Sequence, residues 1–283
     1  MTNIRIIPRL DIKGPNLVKG IHLEGLRVLG KPEYFARYYY ENGADELFFQ
    51  DIVASLYDRN SLHSIITKTA KEIFIPLTVG GGLRTIEDIR DVLRAGADKV
   101  SINTAAIKNP AFIKEASRKF GSSTIVVAIE AIKSNDGKYL AFIDNGREST
   151  DLDVVTWAKK AEELGAGEIV ITSVDREGTG EGYDINLIKS VTNAVSIPVI
   201  AHGGASSPQN IVNAIISGKV EAVAIASILH YSVVKDMVRV KTDFIEEGNI
   251  SFLNSGKTPQ KIKLSSLKEI KSALIDAHIP TRL

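Results

Sequence analysis

Two carboxylates, Asp11 and Glu130, are the residues of this sequence that most clearly indicate chemistry. Each ends an apolar run of the same kind, Arg5–Asp11 in the first half of the chain and Thr124–Glu130 in the second. Such runs are typical of buried β-strands, and active sites lie at the carboxyl ends of parallel barrel strands. The pair therefore predicts a general acid and base, which indicates an enzyme. The structural alternative is that each carboxylate caps a helix or joins a salt bridge.

The elements that would position these carboxylates alternate along the chain. Helical stretches such as 33–42, 85–95, 110–120 and 153–164 separate short runs rich in β-branched residues. The eight runs are residues 4–11, 46–51, 75–79, 99–103, 124–130, 168–173, 197–201 and 222–226. This alternation predicts an α/β fold, a single (β/α)8 TIM barrel. We place one barrel domain over residues 1–283, with a polar insertion at about 231–263 before the last helix.

The two halves of the chain repeat each other. Leu77–Gly82 matches Val199–Gly204, and Gly43–Leu47 matches Gly165–Ile169, at spacings of about 120 residues. This spacing is half the length of such a barrel, so it predicts an internal half-barrel repeat that relates Asp11 to Glu130.

Two glycine clusters follow predicted strands and precede helices. Glycine lets the backbone approach a phosphate closely, and the next helix N-terminus offers free N–H donors. With the polar tips of the following strands, the first cluster comprises Gly82, Asn103 and Thr104, and the second comprises Gly203, Gly204, Ala226 and Ser227. One cluster alone could be a tight turn, but two related by the repeat favour two phosphate sites on one rim. The two sites predict a bisphosphorylated small-molecule substrate that lies across the barrel mouth.

Composition excludes several classes of protein. The 283 residues carry 35 basic and 34 acidic side chains, a net charge of +1, which argues against nucleic-acid and membrane partners. The absence of cysteine excludes disulfides, thiolate nucleophiles and zinc–thiolate sites, and we expect neither metal nor cofactor. The sequence shows no signal-peptide pattern and no apolar run near the roughly 18 residues of a membrane span, so we expect a cytoplasmic enzyme.

Several motifs together carry a family resemblance. They are Arg5–Asp11, Leu17–Gly20, Asp51–Ser55, Thr78–Gly82, Asp98–Thr104, Ala166–Ile169, Asp175–Asp184 and Ile200–Ala205. In order and content they resemble HisF, the cyclase subunit of imidazole glycerol phosphate synthase, over roughly residues 3–230 and again in the last helix. The related isomerase of the same pathway shares the half-barrel repeat, but the combination of Asp11, Lys19 and the Asn103-Thr104 motif resembles the cyclase more closely.

The resemblance implies a glutamine-dependent step of histidine biosynthesis. A HisH-like glutaminase subunit at the N-terminal face of the barrel would release ammonia, which would pass through the barrel. There it would convert a bisphosphorylated formimino-aminoimidazole carboxamide ribotide into imidazole glycerol phosphate and aminoimidazole carboxamide ribotide. Asp11 and Glu130 would be the acid/base pair, and Lys19 a loop residue that closes on the substrate. The substrate-binding residues would be Lys19, Asp51, Gly82, Asn103, Thr104, Thr172, Asp175, Gly178, Gly203, Gly204, Ala226 and Ser227.

Side-chain alternation predicts a charged ring at the opposite end of the barrel. Counting back from the strand tips, Arg5, Glu46, Lys99 and Glu168 all point inward at the N-terminal ends of their strands. Two cations and two anions would therefore line the barrel floor. The ring is similar to the family's ammonia gate; a mutually neutralised structural cluster is the alternative.

Three residues depart from the family pattern. Glu130 stands where an aspartate is usual, Arg9 replaces a small or thiol residue, and His202 replaces a common serine. A buried arginine needs a partner, and Asp11 or Glu130 could serve. For His202 a hydrogen-bonded packing role is favoured over a direct catalytic one.

These departures leave a second function open. Divergent HisF-like proteins occur in gene sets for surface polysaccharides, where a sugar amidotransferase consumes ammonia from a HisH/HisF-like pair. The barrel would then be an ammonia conduit with its own cyclase chemistry altered or lost. Asp11 and Lys19 favour the cyclase, whereas Arg9 and Glu130 favour the conduit. A phosphometabolite-binding protein without catalysis is a weaker third reading, because it leaves the charged floor unexplained.

Overall fold

Eight parallel strands close into a barrel. The structure is a computed structural model that describes residues 3–54, 62–237 and 261–282. The barrel strands are β1 (Arg5–Lys13), β4 (Leu47–Asp51), β5 (Leu77–Gly80), β6 (Lys99–Ile102), β7 (Ile125–Lys133), β10 (Glu168–Ser173), β11 (Val199–His202) and β12 (Ala222–Ile225). Each pairs in parallel with its neighbours, and β12 returns to β1, where Arg5 lies opposite Ala222. The predicted TIM barrel is confirmed.

Strand alternation gives the barrel two faces. Ile6 and Leu10 of β1 pack with the surrounding helices, whereas Ile7 on the other face packs inside the barrel with Phe48, Val126 and other small and branched residues. Both faces are buried, so the strands read as continuous apolar runs. The charged inward residues therefore lie above and below an apolar layer, at the two ends of the barrel.

Helices cover the outside of the barrel. In the described residues they are α1 (Pro32–Glu41), α2 (His63–Ala70), α3 (Ile86–Ala95), α4 (Thr104–Lys108), α5 (Ala111–Phe120), α6 (Val154–Glu163), α7 (Ile185–Thr192), α8 (Pro208–Gly218), α9 (Ser227–Met237) and α10 (Leu267–Asp276). A capping box formed by Thr85 and Asp88 opens α3, and Ser207 caps α8 with Pro208 at its start. Within the three described ranges, no helix combines the length and apolar character needed to cross a membrane.

Two antiparallel extensions were not predicted. Strands β2 (Asn16–Ile21) and β3 (Glu24–Gly30) form a hairpin after β1, and β8 (Tyr139–Ile143) and β9 (Glu148–Asp153) form another after β7. The hairpins follow the first strand of each half-barrel, in agreement with the repeat. Lys19, for which the resemblance implies a loop position, thus lies on β2 of the first hairpin.

The predicted insertion at about 231–263 lies mostly outside the described residues. Residues 231–237 complete α9 and do not interrupt it, while 238–260 lie outside the described residues. Residues 261–263 rejoin the barrel, where Ile262 is buried and Lys263 N donates to Ser206 O at 2.8 Å. The insertion as a separate surface element remains a prediction.

Candidate active site

The four predicted floor residues form a closed ring of opposite charges. Arg5 contacts Glu46 (Nη1–Oε1, 2.8 Å) and Glu168, and Lys99 Nζ lies 3.3 Å from Glu46 Oε1 and 3.1 Å from Glu168 Oε2. Burial disfavours a charged Arg5, but the Glu168 and Glu46 carboxylates outweigh it and raise its pKa. The ring is electrically neutral and partly solvent-accessible, with Arg5 23% and Lys99 19% exposed. It forms a charged layer at the N-terminal end of the barrel, below the apolar layer.

Arg9 lies above the apolar layer and reaches across the barrel. Its Nε donates to Asp11 Oδ1 at 3.0 Å, and its Nη1 donates to Thr172 Oγ1 at 3.3 Å and to His202 Nδ1 at 3.2 Å. The guanidinium carbon also lies 5.6 Å from the centre of the Phe48 ring. These contacts join β1, β4, β10 and β11. The predicted need of Arg9 for a carboxylate partner is met by Asp11.

His202 belongs to this hydrogen-bonded cluster. Because Nδ1 accepts a hydrogen bond from Arg9, this nitrogen carries no proton and the imidazole ring is neutral. Burial, followed by the charge of Arg9, lowers the pKa of His202 well below its ordinary value. The histidine is therefore a packed acceptor, as the sequence favoured.

Lys19 is buried, forms an ion pair with Glu177 and lies in a strand. It lies on β2, contacts Glu177 Oε1, donates to Gly20 O at 3.2 Å and lies 3.9 Å from Asp11 Oδ2. Burial lowers the pKa of Lys19, but Glu177 and then Asp11 more than offset this and raise it. The other Glu177 oxygen accepts from Leu23 N at 3.2 Å, at the tip of the hairpin. This hairpin is therefore held against the barrel mouth.

Glu130 has a different environment from Asp11. It is 7% exposed, and Oε2 accepts from Gly146 N at 2.8 Å, in the turn between β8 and β9. Burial raises its pKa to about 7, opposed by Arg9 and the Gly146 hydrogen bond and assisted by Asp11 and Asp144. A carboxyl with this pKa can donate or accept a proton near neutral pH.

The first predicted phosphate cluster borders an open cavity. Gly82, Asn103 and Thr104 line a cavity of about 350 Å³ together with Glu130 and Arg9. Asp51 and Thr172 also line it, and Asp51 Oδ1 accepts from the backbone N–H groups of residues 53 and 54. An unpredicted acid, Asp144, shares this cavity and bonds with Thr104, while Lys108 Nζ lies 3.7 Å from it.

The second predicted cluster also comes together, around a much smaller space. Gly178, Gly203, Gly204, Ala226 and Ser227 line a cavity of about 10 Å³ beside Glu177 and His202. Asp175 lines neither of these cavities; its carboxylate accepts from Lys133 N at 2.8 Å at the end of β7. Among the described residues, no cluster of three acidic or histidine side chains could hold a metal ion.

Sequence reasoning missed Glu177 and Asp144. Glu177 lies within the Asp175–Asp184 motif, so its sequence signal was a carboxylate four residues beyond the tip of β10. Its partner Lys19 is 158 residues away, which only the closed barrel brings near. Asp144 follows β8, which the sequence reading did not include.

The chain is similar to known proteins of one family. Residues 5–235 match the family described as Histidine biosynthesis protein. The chain is 57% identical to imidazole glycerol phosphate synthase subunit HisF of Legionella pneumophila over 204 residues, 72% of this chain and 96% of that protein. It is 47% identical to the HisF subunit of Alkaliphilus metalliredigens, covering 82% and 92% of the two chains. For the Methanococcus vannielii HisF subunit the identity is 46%, with coverages of 88% and 98%.

These matches span the barrel and nearly the full length of each relative. The chain therefore belongs to the HisF family of imidazole glycerol phosphate synthase subunits.

Proposed function

We propose that the protein is the cyclase subunit of an imidazole glycerol phosphate synthase, a lyase of histidine biosynthesis in the cytoplasm. It uses ammonia to convert the bisphosphorylated formimino-aminoimidazole carboxamide ribotide into imidazole glycerol phosphate and aminoimidazole carboxamide ribotide. The observation that carries the proposal is the placement of two buried carboxylates, Asp11 and Glu130, between two glycine-lined clusters at the barrel mouth.

The residues divide the work of the reaction. The clusters at Gly82 and Gly204 hold the two phosphates and stretch the substrate across the mouth. Attack by ammonia requires a proton to leave the new nitrogen, and departure of an amine requires a proton to be supplied. Asp11 and Glu130 serve these two needs, and the pKa of about 7 at Glu130 suits the exchange. The hairpin that carries Lys19 shields these steps from water.

Ammonia enters from the opposite end of the barrel. A HisH-like glutaminase docks on the N-terminal face and delivers ammonia to the ring of Arg5, Glu46, Lys99 and Glu168. Two features support the proposed role of the ring as a gate: its position on the barrel axis and its mutually neutralising ion pairs. Ammonia then follows the apolar layer at Ile7 and Phe48 toward the carboxylates.

The test is turnover of the bisphosphorylated substrate with an ammonium salt. We expect the wild-type chain to form both products, and Glu130→Gln to lower turnover by about 100-fold or more because an amide cannot exchange the proton. Glu130→Asp should retain turnover or raise it, because it keeps the acid. A folded wild-type chain that forms no product under these conditions would refute the proposal.

One observation favours the second function. Arg9 is buried and bonded to Asp11, so it engages one of the two proposed catalytic carboxylates, which suits a barrel whose own cyclase chemistry is lost and whose ammonia serves a separate sugar amidotransferase. In that case no cyclisation occurs, while a HisH-like glutaminase still binds the chain and is stimulated by it. Measuring glutamine hydrolysis with and without the chain therefore separates the two functions.

A further inference from the structure

We infer that Arg9 is a positioning residue that decides which of the two carboxylates carries the proton. It holds Asp11 as a carboxylate, and Glu130 is the protonated member of the pair. The location of the proton follows from the geometry alone, whereas its use in catalysis rests on the proposed function.

The first support is the fixed direction of the guanidinium. Asp11 is two residues along the same strand and faces the same way, so Arg9 Nε meets Oδ1 at 3.0 Å. Thr172, His202 and Phe48 hold the rest of the group from three other strands. Arg9 is only 3% exposed, so it has no solvent-facing alternative. Within the described ranges, Arg9 forms an ion pair with Asp11 and none with Glu130.

The second support is the unequal solvation of the two carboxylates. Asp11 accepts a charged hydrogen bond from Arg9 and has the Lys19 ammonium at 3.9 Å. Glu130 accepts one backbone N–H, from Gly146. A nearby cation favours the charged form of an acid, whereas burial beside other carboxylates favours the neutral form. The proton therefore goes to Glu130.

The third support is the charge balance of the whole cluster. The groups that face the pair are Arg9 from β1, Lys19 from β2, Asp144 from the β8–β9 turn, Glu177 after β10, a neutral His202 from β11 and a neutral His230 from α9. Arg9 and Lys19 are matched by Asp11 and Glu177, and Asp144 has Lys108 near it. A charged Glu130 would leave one buried negative charge unmatched, which is unfavourable.

Difference infrared spectroscopy across a pH titration tests this directly. A protonated carboxyl has a distinct C=O stretch, and ¹³C labelling of glutamate side chains shifts it only if a glutamate carries it. We expect wild type to show a band that titrates near pH 7, that shifts on glutamate labelling and that disappears in Glu130→Gln. A titrating band that resists glutamate labelling and disappears in Asp11→Asn would overturn the inference.

The role of Arg9 is tested in the Glu130→Gln variant, which lacks the Glu130 carboxyl group and its proton. Adding Arg9→Met to Glu130→Gln removes the cation from Asp11, so the C=O band of a protonated aspartate should appear that Glu130→Gln alone lacks. Arg9→Lys in the same background keeps the positive charge and should show no such band. Circular dichroism establishes that each variant is folded. If folded Arg9→Met/Glu130→Gln shows no aspartate band, Arg9 is not the residue that keeps Asp11 ionised.

Turnover at constant free ammonia gives the catalytic consequence. If Glu130 is the working acid, wild-type turnover should fall as pH rises past about 7, and Arg9→Met should change this pH profile more than the Michaelis constant. A correct infrared result without turnover would count against the cyclase function and leave the proton placement intact.

Discussion

At the scale of single residues, the described part of the site keeps its buried charges in pairs except at one acid. Asp11 and Lys19 each have an ionic partner, whereas the one partner of Glu130 among the described residues is the Gly146 N–H. The sequence indicates both carboxylates but leaves the ionic partner of Arg9 open between Asp11 and Glu130. It does not decide between them because the direction of the Arg9 side chain is set by Thr172 and His202 on distant strands.

Glu130 should make the stability of the protein depend on pH. Its pKa is raised from 4.5 to about 7 on folding, so the folded state holds a proton that the unfolded state releases. The contribution is fully present below about pH 4.5 and is lost as pH rises through about 7. At about 1.4 kcal/mol per pKa unit, the difference is roughly 3 kcal/mol. In urea unfolding from pH 5 to 8, the slope of the unfolding free energy against pH should be more negative for wild type than for Glu130→Gln, because the variant lacks the Glu130 contribution.

An exposed glutamate supplies the control for this slope. Glu115 lies on the outer surface of α5, so Glu115→Gln should leave the pH dependence of unfolding unchanged. Equal slopes for wild type and Glu130→Gln would show that the Glu130 carboxyl does not keep its proton in the folded state.

At the scale of elements, the sequence predicted the barrel strands and the floor ring well. Both depend on alternation, which fixes the inward side of residues such as Arg5 and Glu46 once a strand is recognised. The sequence did not predict the two hairpins, because their residues are glycine-rich or polar and are ordered by contacts across the barrel mouth. Asn145 Nδ2, for example, donates to Leu23 O at 3.2 Å and so joins the hairpins of the two halves.

A single methyl group added at Gly178 should release the β2–β3 hairpin from the barrel mouth. Gly178 has φ of +72°, and a Cβ there would lie 2.5 Å from Gly20 O and 2.9 Å from Ile21 Cα. Gly178→Ala should therefore push β2 away from the mouth and weaken the Lys19–Glu177 pair. We expect amide hydrogen exchange in Asn16–Ile21 to accelerate by at least about 10-fold.

Gly137→Ala is the matched control for backbone strain. Gly137 also has a positive φ, +87°, but a Cβ there meets nothing within 4 Å. Both variants carry the left-handed strain of about 1–2 kcal/mol, and only Gly178→Ala adds the clash. If both leave exchange in β2 equally protected, the hairpin does not depend on this close approach.

At the scale of the whole molecule, the two ends of the chain close the barrel together. Ile4 N donates to Pro280 O at 2.8 Å, and Ile4 forms an isolated bridge with Thr281. Asp45 ties the same region from inside: Oδ2 accepts from Ile6 N at 2.8 Å, and Oδ1 accepts from Lys271 Nζ of α10 at 3.0 Å. The last helix is thus fixed to the first strand through one buried carboxylate.

Asp45→Asn should destabilise the whole barrel. Lys271 is only 4% exposed, so the variant leaves a buried ammonium without its counter-charge, which typically costs 3–5 kcal/mol. The double variant Asp45→Asn/Lys271→Met removes both charges, while the asparagine oxygen still accepts from Ile6 N. We therefore expect it to recover about 2 kcal/mol or more of the lost free energy of unfolding, measured by urea denaturation.

The exposed pair of Arg37 and Glu41 on α1 calibrates this result. Its 2.9 Å contact is closer than that of Lys271 and Asp45, but the two side chains are 62% and 54% exposed. Glu41→Gln should therefore leave the free energy of unfolding nearly unchanged. If Asp45→Asn is as mild as Glu41→Gln, or if the double variant is no more stable than Asp45→Asn, then α10 is held by its apolar face alone. In that case the barrel would tolerate loss of the buried pair, because Leu267, Ile270 and Leu274 would suffice to keep the last helix in place.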